Sequence, residues 1–146
     1  MNYSSTIHVQ TNQQTAFGAV ALHIVDWWGK VDKHNPALND EFSVFFGTTE
    51  WRFRVQEFDP PHKIVWRCVK AHHEHDGLSG ITEEWLNTTV TWTFESMNKL
   101  THIHLLHDGL LPHLNCYEVC EAGWDFFTKT SLKAYLETGT GSPYQE

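Results

Sequence analysis

Basic residues are scarce in this chain, since 10 lysines and arginines stand against 18 aspartates and glutamates, for a formal net charge of −8. Proteins that bind nucleic acids or anionic membrane surfaces do so through basic patches. The chain offers only pairs such as Lys30 with Lys33 and Arg52 with Arg54. The charge pattern therefore argues against nucleic acid and against a membrane surface as partners.

Long hydrophobic runs are also lacking, and the first residues, M-N-Y-S-S-T, are polar and uncharged. A membrane-spanning helix needs about 20 apolar residues, and a secretory signal needs a shorter apolar core. The sequence contains neither pattern. We therefore expect a cytoplasmic protein without membrane insertion, folded as a single domain over residues 1–146.

Cysteines are few and odd in number, three in all, and they form no C-x-x-C motif. A cytoplasmic protein keeps its thiols reduced, so no disulfide framework is expected. Cys116 and Cys120 lie four residues apart on one face of a predicted helix. We interpret them as small buried hydrophobic side chains.

Signals of catalysis are missing as well. Ser79 and Ser131 lack a G-x-S-x-G context, and no glycine-rich phosphate loop occurs. The Glu83-Glu84 pair is interpreted as a solvated approach to a strand rather than a catalytic carboxylate pair. The sequence thus predicts no catalytic residue and no cofactor.

Eleven histidines raise the question of a metal site. His72, His73 and His75 cluster in a predicted loop, and His102 and His104 share one side of a predicted strand. Two histidines on one side could chelate zinc or copper, but a closed site needs more ligands. We interpret His102 and His104 as solvated surface residues. The loop histidines are expected to have no fixed geometry and at most a tag-like affinity for metals, so we predict no metal site.

Aromatic side chains, by contrast, are abundant, with seven tryptophans, nine phenylalanines and four tyrosines. Such side chains bring large buried area and rigid shape. They are typical of a densely filled core and equally of an aromatic cavity lining. Composition alone does not choose between the two.

Alternation of apolar and polar residues predicts six strands, which are joined mostly by short turns and therefore pair antiparallel. The run D-P-P-H at residues 59–62 and Asn98 mark two of the turns. The strands are predicted at Ser4–Gln10, Glu41–Phe46, Glu50–Phe58, Lys63–Val69, Trp85–Glu95 and Leu100–His107.

Two short helices are predicted after the first strand, the first capped by Asn12 and the second ending at Gly29. Residues 30–40 are predicted as a loop. The order of strand, two helices, strand meander and one long helix indicates an α+β fold, in which the last helix buries its apolar face on the sheet. Such an arrangement can enclose a space between helix and sheet.

The long helix ends at Gly139, and Asn115 is expected to cap its start, with Glu118 completing a capping box. Gly123 lies within the helix, where glycine costs about 1 kcal/mol relative to alanine. Close approach to the sheet or to a ligand would compensate, and ordinary tight packing is the simpler explanation. The predicted apolar stripe comprises Val119, Cys120, Gly123, Trp124, Phe126, Phe127, Thr130, Ala134 and Leu136.

Five segments follow one another along nearly the whole chain. They are Q-Q-T-A-F-G-A-V after the first strand, F-D-P-P-H-K-I-V-W at Phe58–Trp66, T-H-I-H-L-L-H-D-G-L at Thr101–Leu110, G-W-D-F-F at Gly123–Phe127 and S-L-K-A-Y-L-E-T-G at Ser131–Gly139. Taken together in this order, they resemble the START-like superfamily (SRPBCC, Bet v 1-like), and within it the branch named after the activator of the heat-shock protein 90 ATPase.

The resemblance implies a helix-grip fold, in which a curved antiparallel sheet wraps the C-terminal helix. It also implies a cavity for lipids, sterols, polyketides or other apolar molecules. Trp66, His107 and Trp124 occupy motif positions that lie close to this cavity in the family. The sequence departs from the eukaryotic activator, which carries a second domain.

We therefore predict a protein that binds or carries a small apolar or aromatic molecule. The predicted ligand-binding residues are Phe53, Trp66, Trp92, Phe94, His107, Trp124 and Phe127. Two alternatives stay open: a cyclase/aromatase-like or hydrolytic enzyme with His107 as base, and a protein that interacts with a chaperone ATPase. An exposed sheet edge or tryptophan patch could also pair two copies into a homodimer.

Overall fold

The computed structural model describes residues 1–145 and shows a curled antiparallel sheet of seven strands with a long C-terminal helix. The order of strands in the sheet is β1-β7-β6-β5-β4-β3-β2, and every neighbouring pair is antiparallel. The predicted α+β helix-grip class is confirmed. The strands are β1 (Tyr3–Val9), β2 (Lys30–Val31), β3 (Glu41–Phe46), β4 (Thr49–Asp59), β5 (Lys63–His72), β6 (Thr89–Met97) and β7 (Leu100–Asp108).

Two short helices, α1 (Gln13–Leu22) and α2 (Ile24–Trp27), follow β1 as predicted. The C-terminal helix consists of α3 (Tyr117–Asp125), a π-helical segment (Phe126–Leu132) and α4 (Lys133–Thr138). Among residues 1–145, no helix is long and apolar enough to cross a membrane.

Several local predictions are confirmed because their causes are local. The side chain of Asn12 accepts a hydrogen bond of 2.7 Å from the Thr15 amide and so caps α1. Asn98 turns the chain between β6 and β7 with a φ of 59°, and Gly139 ends α4 with a φ of 88°, in the left-handed region that favours glycine.

Three strand predictions differ from the structure. Strand β5 continues to His72 rather than ending at Val69, so His72 lies in the strand and not in the predicted loop. Residues 30–40 are not entirely loop, because Lys30–Val31 form β2 on the edge of β3. Strand β6 begins at Thr89 rather than at Trp85, because Trp85 lies in a tight turn. In that turn the Thr88 amide and hydroxyl both donate to the Trp85 carbonyl, at 3.0 and 2.6 Å.

The predicted capping of the long helix by Asn115 and Glu118 is wrong. The helix begins at Tyr117 without a side-chain cap from its own end. Instead, the Glu84 carboxylate accepts from the backbone amides of Asn115 and Cys116, at 3.0 and 2.9 Å. The interpretation of Glu84 as a solvated approach to a strand is therefore wrong. Its carboxylate links the start of the C-terminal helix to the segment before β6.

Replacing Glu84 with alanine is expected to lower the free energy of unfolding by about 1–2 kcal/mol, because the two amides lose a charged acceptor near a helix N-terminus. The matched control is Glu83→Ala, since Glu83 is exposed and should tolerate the change. Urea unfolding of the two variants makes the comparison, and equal stabilities would contradict the capping role.

The predicted apolar stripe is only partly right. Phe126 is 45% exposed and Thr130 is also exposed, whereas Thr128, Ser131 and Leu132 are buried. The cause is the π-helical segment, whose wider turn shifts the phase of every later side chain relative to an α-helix. A pattern with period 3.6 cannot anticipate that shift.

Candidate functional site

A cavity of about 550 Å³, partly open to solvent, lies at the end of the sheet where β3 turns into β4. One wall is α3 with the first turn of the π-helical segment, which contribute Val119, Cys120, Gly123, Trp124 and Phe127. The opposite wall is the β3–β4 turn with Phe46 and Trp51, and residues 73–76 after β5 form the mouth. We refer to this space as the cavity.

Four tryptophans line the cavity, one from each of four different parts of the chain: Trp28, Trp51, Trp85 and Trp124. They stack in pairs, Trp51 on Trp85 with ring centroids 3.9 Å apart and Trp28 on Trp124 at 4.8 Å. Trp85 and Trp124 lie 5.8 Å apart and nearly parallel, and so link the two pairs. The result is a rigid, largely aromatic wall.

Of the predicted ligand-binding residues, Trp124 and Phe127 line the cavity. Phe53, Trp66 and Trp92 lie behind the lining, where Phe53 and Trp66 contact Trp28 and Trp92 contacts Trp124. Phe94 is farther away, against Phe17 of α1, and His107 is buried beside Trp85. The ligand-binding role of these seven residues stays a prediction.

The predictions missed Trp28, Trp51, Trp85, Phe46 and Tyr144, which also line the cavity. The sequence carried a signal for one of them, because Trp51 shares a face of β4 with Phe53 and Val55. Trp51 lies near the end of β4 and borders the opening, whereas Phe53 lies nearer the middle of the strand and is covered by the core. Trp85 and Tyr144 had no periodic signal, since neither lies in a helix or a strand.

Gly123 has no neighbour on the cavity side. A Cβ atom built on it meets no heavy atom within 4 Å. The expected tight packing of the helix at this glycine is therefore wrong. Glycine within a helix costs about 1 kcal/mol relative to alanine. At this position the missing side chain leaves space that neighbouring residues do not fill.

His107 is fully buried and has both ring nitrogens engaged. The Trp124 indole N–H donates to Nδ1 at 3.0 Å, and Nε2 lies 2.8 Å from the Thr88 hydroxyl. Thr88 donates its own hydrogen to the Trp85 carbonyl, so Nε2 carries the proton and the ring is neutral. Burial lowers the pKa of His107 to about 3.

This hydrogen-bond network joins β7 to the C-terminal helix and to the turn before β6. His107 does not line the cavity among the described residues, and neither nitrogen is left to accept a proton from a ligand. The imidazole therefore has a structural task in this geometry, and the structure does not supply the free base that the enzyme alternative needs.

Polar groups gather at the mouth of the cavity. Glu74 and Asp76 are exposed there, and the Thr49 hydroxyl holds the loop by bonds of 3.0 Å from the Glu74 amide and 3.1 Å to its carbonyl. The Trp51 Nε1 and the His73 Nδ1 are buried without a hydrogen-bond partner. An apolar space with a few unsatisfied polar atoms at its rim is typical of small-molecule sites.

All three cysteines are free and buried, as expected. Cys116 and Cys120 lie beside His73, and the ligand atoms of the three residues all fall within 4.8 Å of one another. Hydrogen bonding by the Cys120 thiol lowers the pKa of Cys116 to about 6, against the opposite effect of burial. The same pairing, together with burial, raises the pKa of Cys120.

Residues 21–137 match the family described as Activator of Hsp90 ATPase homolog 1-like protein, and no curated protein matches the chain. Solved structures confirm the fold. The Aha1 dimer from Colwellia psychrerythraea superposes with a TM-score of 0.77 at 18% identity, covering 97% of this chain and 99% of that chain. The protein SSP2350 from Staphylococcus saprophyticus has a TM-score of 0.71 at 14% identity, covering 99% and 100%.

DynU16, from the dynemicin biosynthetic locus, superposes with a TM-score of 0.73 at 18% identity. The match covers 94% of this chain and 48% of that chain. At these identities the likeness concerns the fold alone.

Proposed function

This chain belongs to the Activator of Hsp90 ATPase homolog 1-like family, and we propose that it binds a small apolar or aromatic molecule in its cavity. The cavity volume of about 550 Å³ falls within the range of about 300–1,000 Å³ that is usual for such sites. Its largely aromatic lining favours an apolar or aromatic guest, because aromatic side chains offer large apolar contact area.

The observation that carries this proposal is the empty space at Gly123. Gly123 lines the cavity and is only partly buried, so a side chain at this position would extend into the cavity. Gly123 lies inside a helix, where glycine is the least favourable residue after proline. No side chain fills the space beside it. A glycine at this position keeps the aromatic wall accessible to a guest.

The direct test is Gly123→Leu, which extends a side chain towards the cavity from a position where a Cβ atom meets no heavy atom within 4 Å. The variant should fold with stability equal to or slightly above wild type, since leucine favours the helix by about 0.5–1 kcal/mol over glycine. It should bind a neutral aromatic probe, N-phenyl-1-naphthylamine, at least ~10-fold more weakly, because each ~1.4 kcal/mol of lost contact is a factor of ten. Probe fluorescence, excited through the tryptophans, gives the affinity.

Gly18 provides the matched control. It is also a helical glycine, in α1, and a Cβ atom there also meets nothing within 4 Å, but Gly18 does not line the cavity. Gly18→Leu should therefore bind the probe like wild type. If Gly123→Leu retains wild-type affinity, the probe does not bind in the cavity and the proposal fails.

The family name supports a second candidate, a protein that stimulates a chaperone ATPase. Such contact would use the outer surface, so Gly123→Leu should stimulate a purified Hsp90 ATPase as well as wild type does. Loss of probe binding with unchanged stimulation would assign the two activities to different surfaces. Absence of stimulation by either protein would remove the chaperone candidate.

A homodimer is also proposed, because β1 and β2 form the two edges of the sheet and exposed edges can pair. A tryptophan patch is not the route, since all seven tryptophans are at most 7% exposed. Light scattering coupled to size-exclusion chromatography should give twice the chain mass of 16.9 kDa, and a constant single-chain mass would contradict the dimer.

A further inference from the structure

The group formed by His73, Cys116 and Cys120 is the one set of three potential metal ligands that the structure brings together within residues 1–145. All three side chains are buried, with His73 only 5% exposed. The Nδ1 atom of His73 has no hydrogen-bond partner, although buried polar atoms are almost always paired. An orphaned imidazole nitrogen beside two thiols is the feature that needs an explanation.

We propose that His73, Cys116 and Cys120 bind one Zn²⁺ ion at the wall of the cavity. Thiolate and imidazole are the ligands that zinc prefers in tetrahedral sites. Two sulfurs on a tetrahedral zinc lie about 3.8 Å apart when each Zn–S bond is ~2.3 Å. The observed group, with all ligand atoms within 4.8 Å, therefore needs only small side-chain movements to close on an ion.

The backbone already holds the three residues in place. Cys116 and Cys120 are four residues apart at the start of α3, on one helix face, and the Cys116 amide is held by the Glu84 carboxylate. The His73 amide donates to the Thr82 carbonyl at 3.0 Å. The backbone of each of the three residues is therefore fixed by a hydrogen bond or by the helix, and the side chains remain free to coordinate the ion.

Groups around the cluster suit a bound cation. The Trp85 indole N–H donates to the Cys120 sulfur at 3.3 Å, and donors of this kind orient and stabilise metal thiolates. The Glu84 carboxylate, beside Cys116, adds negative charge. Binding requires both cysteines as thiolates, and the ion with two thiolates and a neutral imidazole then carries no net charge.

The proposed site borders the cavity, because His73 and Cys120 both line it. Zinc sites with three protein ligands keep the fourth position for water or for a bound molecule. An oxygen, nitrogen or sulfur atom on a guest in the cavity would have access to the ion. The zinc proposal does not depend on the apolar guest, since the ion would bind whether or not the cavity is filled.

The test uses the untagged, reduced, full-length protein, stripped with a chelator and titrated with Co²⁺ and then Zn²⁺. Co²⁺ should bind one ion per chain and give the near-ultraviolet sulfur-to-metal charge-transfer absorption of a two-thiolate site, and Zn²⁺ should displace it. Binding should also raise the unfolding temperature of the wild type. A titration without charge-transfer absorption would overturn the proposal, without any variant being needed.

Variants assign the ligands. Cys116→Ala, Cys120→Ala and His73→Ala should each weaken zinc binding at least ~10-fold, which corresponds to ~1.4 kcal/mol. Cys68→Ala is the matched control for a buried free cysteine. His102→Ala is the control for a surface histidine, paired with His8 at 2.9 Å. Wild-type affinity in a Cys116 or Cys120 variant, or loss of binding in His102→Ala, would place the ion elsewhere and overturn the proposal.

Discussion

Replacing Trp124 with alanine is expected to lower the free energy of unfolding by about 3–5 kcal/mol, the usual cost of removing a buried tryptophan. Trp124 is 2% exposed, stacks on Trp28 and lies parallel to Trp85. It also donates the hydrogen bond that satisfies His107 Nδ1. The substitution therefore removes packing and leaves a buried acceptor unpaired at the same time. Urea unfolding at neutral pH, followed by far-ultraviolet circular dichroism, measures the change.

Trp124→Phe separates the two contributions. Phenylalanine keeps an aromatic ring in the stack but cannot donate to His107, so we expect a loss of about 1–3 kcal/mol, the cost of an unsatisfied buried polar group together with a smaller ring. A Trp124→Ala variant that unfolds within about 1 kcal/mol of wild type would contradict the close packing of the helix on the aromatic wall.

The stability of the protein is expected to fall in mild acid because His107 is buried in its neutral form. Its pKa is lowered from 6.5 to about 3 by burial, so the unfolded chain binds a proton more readily than the folded one. The stability that depends on a neutral His107 is fully present above pH 6.5, and it is lost as the pH falls from 6.5 towards 3. The loss is about 2 kcal/mol at pH ~5 relative to pH ~8.

His107→Gln isolates this contribution from the other titrating groups. Glutamine offers one acceptor and one donor but takes up no proton in this range. The difference in unfolding free energy between wild type and variant should be constant above pH 6.5. It should shrink by about 1.4 kcal/mol per pH unit below that value. A difference that does not change with pH would show that His107 is not held neutral by the fold.

Much of the fold was predictable because its causes are short-range. The alternation in β7 correctly separated outward His102 and His104 from inward Ile103, Leu105 and His107. Asn12 caps α1, Asn98 turns the chain between β6 and β7, and Gly139 ends the C-terminal helix in the left-handed region. The predictions failed where a distant residue decided the outcome, as when Glu84 rather than Asn115 capped the helix.

The cavity lining was harder to predict than the fold. Alternation indicates which side of a strand faces inward, but every inward residue looks the same in the sequence whether it meets another side chain or an opening. Phe53 and Trp51 lie on one face of β4, yet the first is covered by the core and only the second borders the cavity. The approach of His73 to Cys116 is likewise a contact between segments more than 40 residues apart.

The sequence alone determined the class of architecture and the inward and outward faces of most strands, because these depend on composition and on periods of a few residues. The tertiary structure alone decided where the space between helix and sheet remains open, which tryptophans border it and which polar groups meet there. Those outcomes depend on the curl of the sheet and on the phase of a π-helical segment, and neither leaves a repeating pattern in the order of the residues.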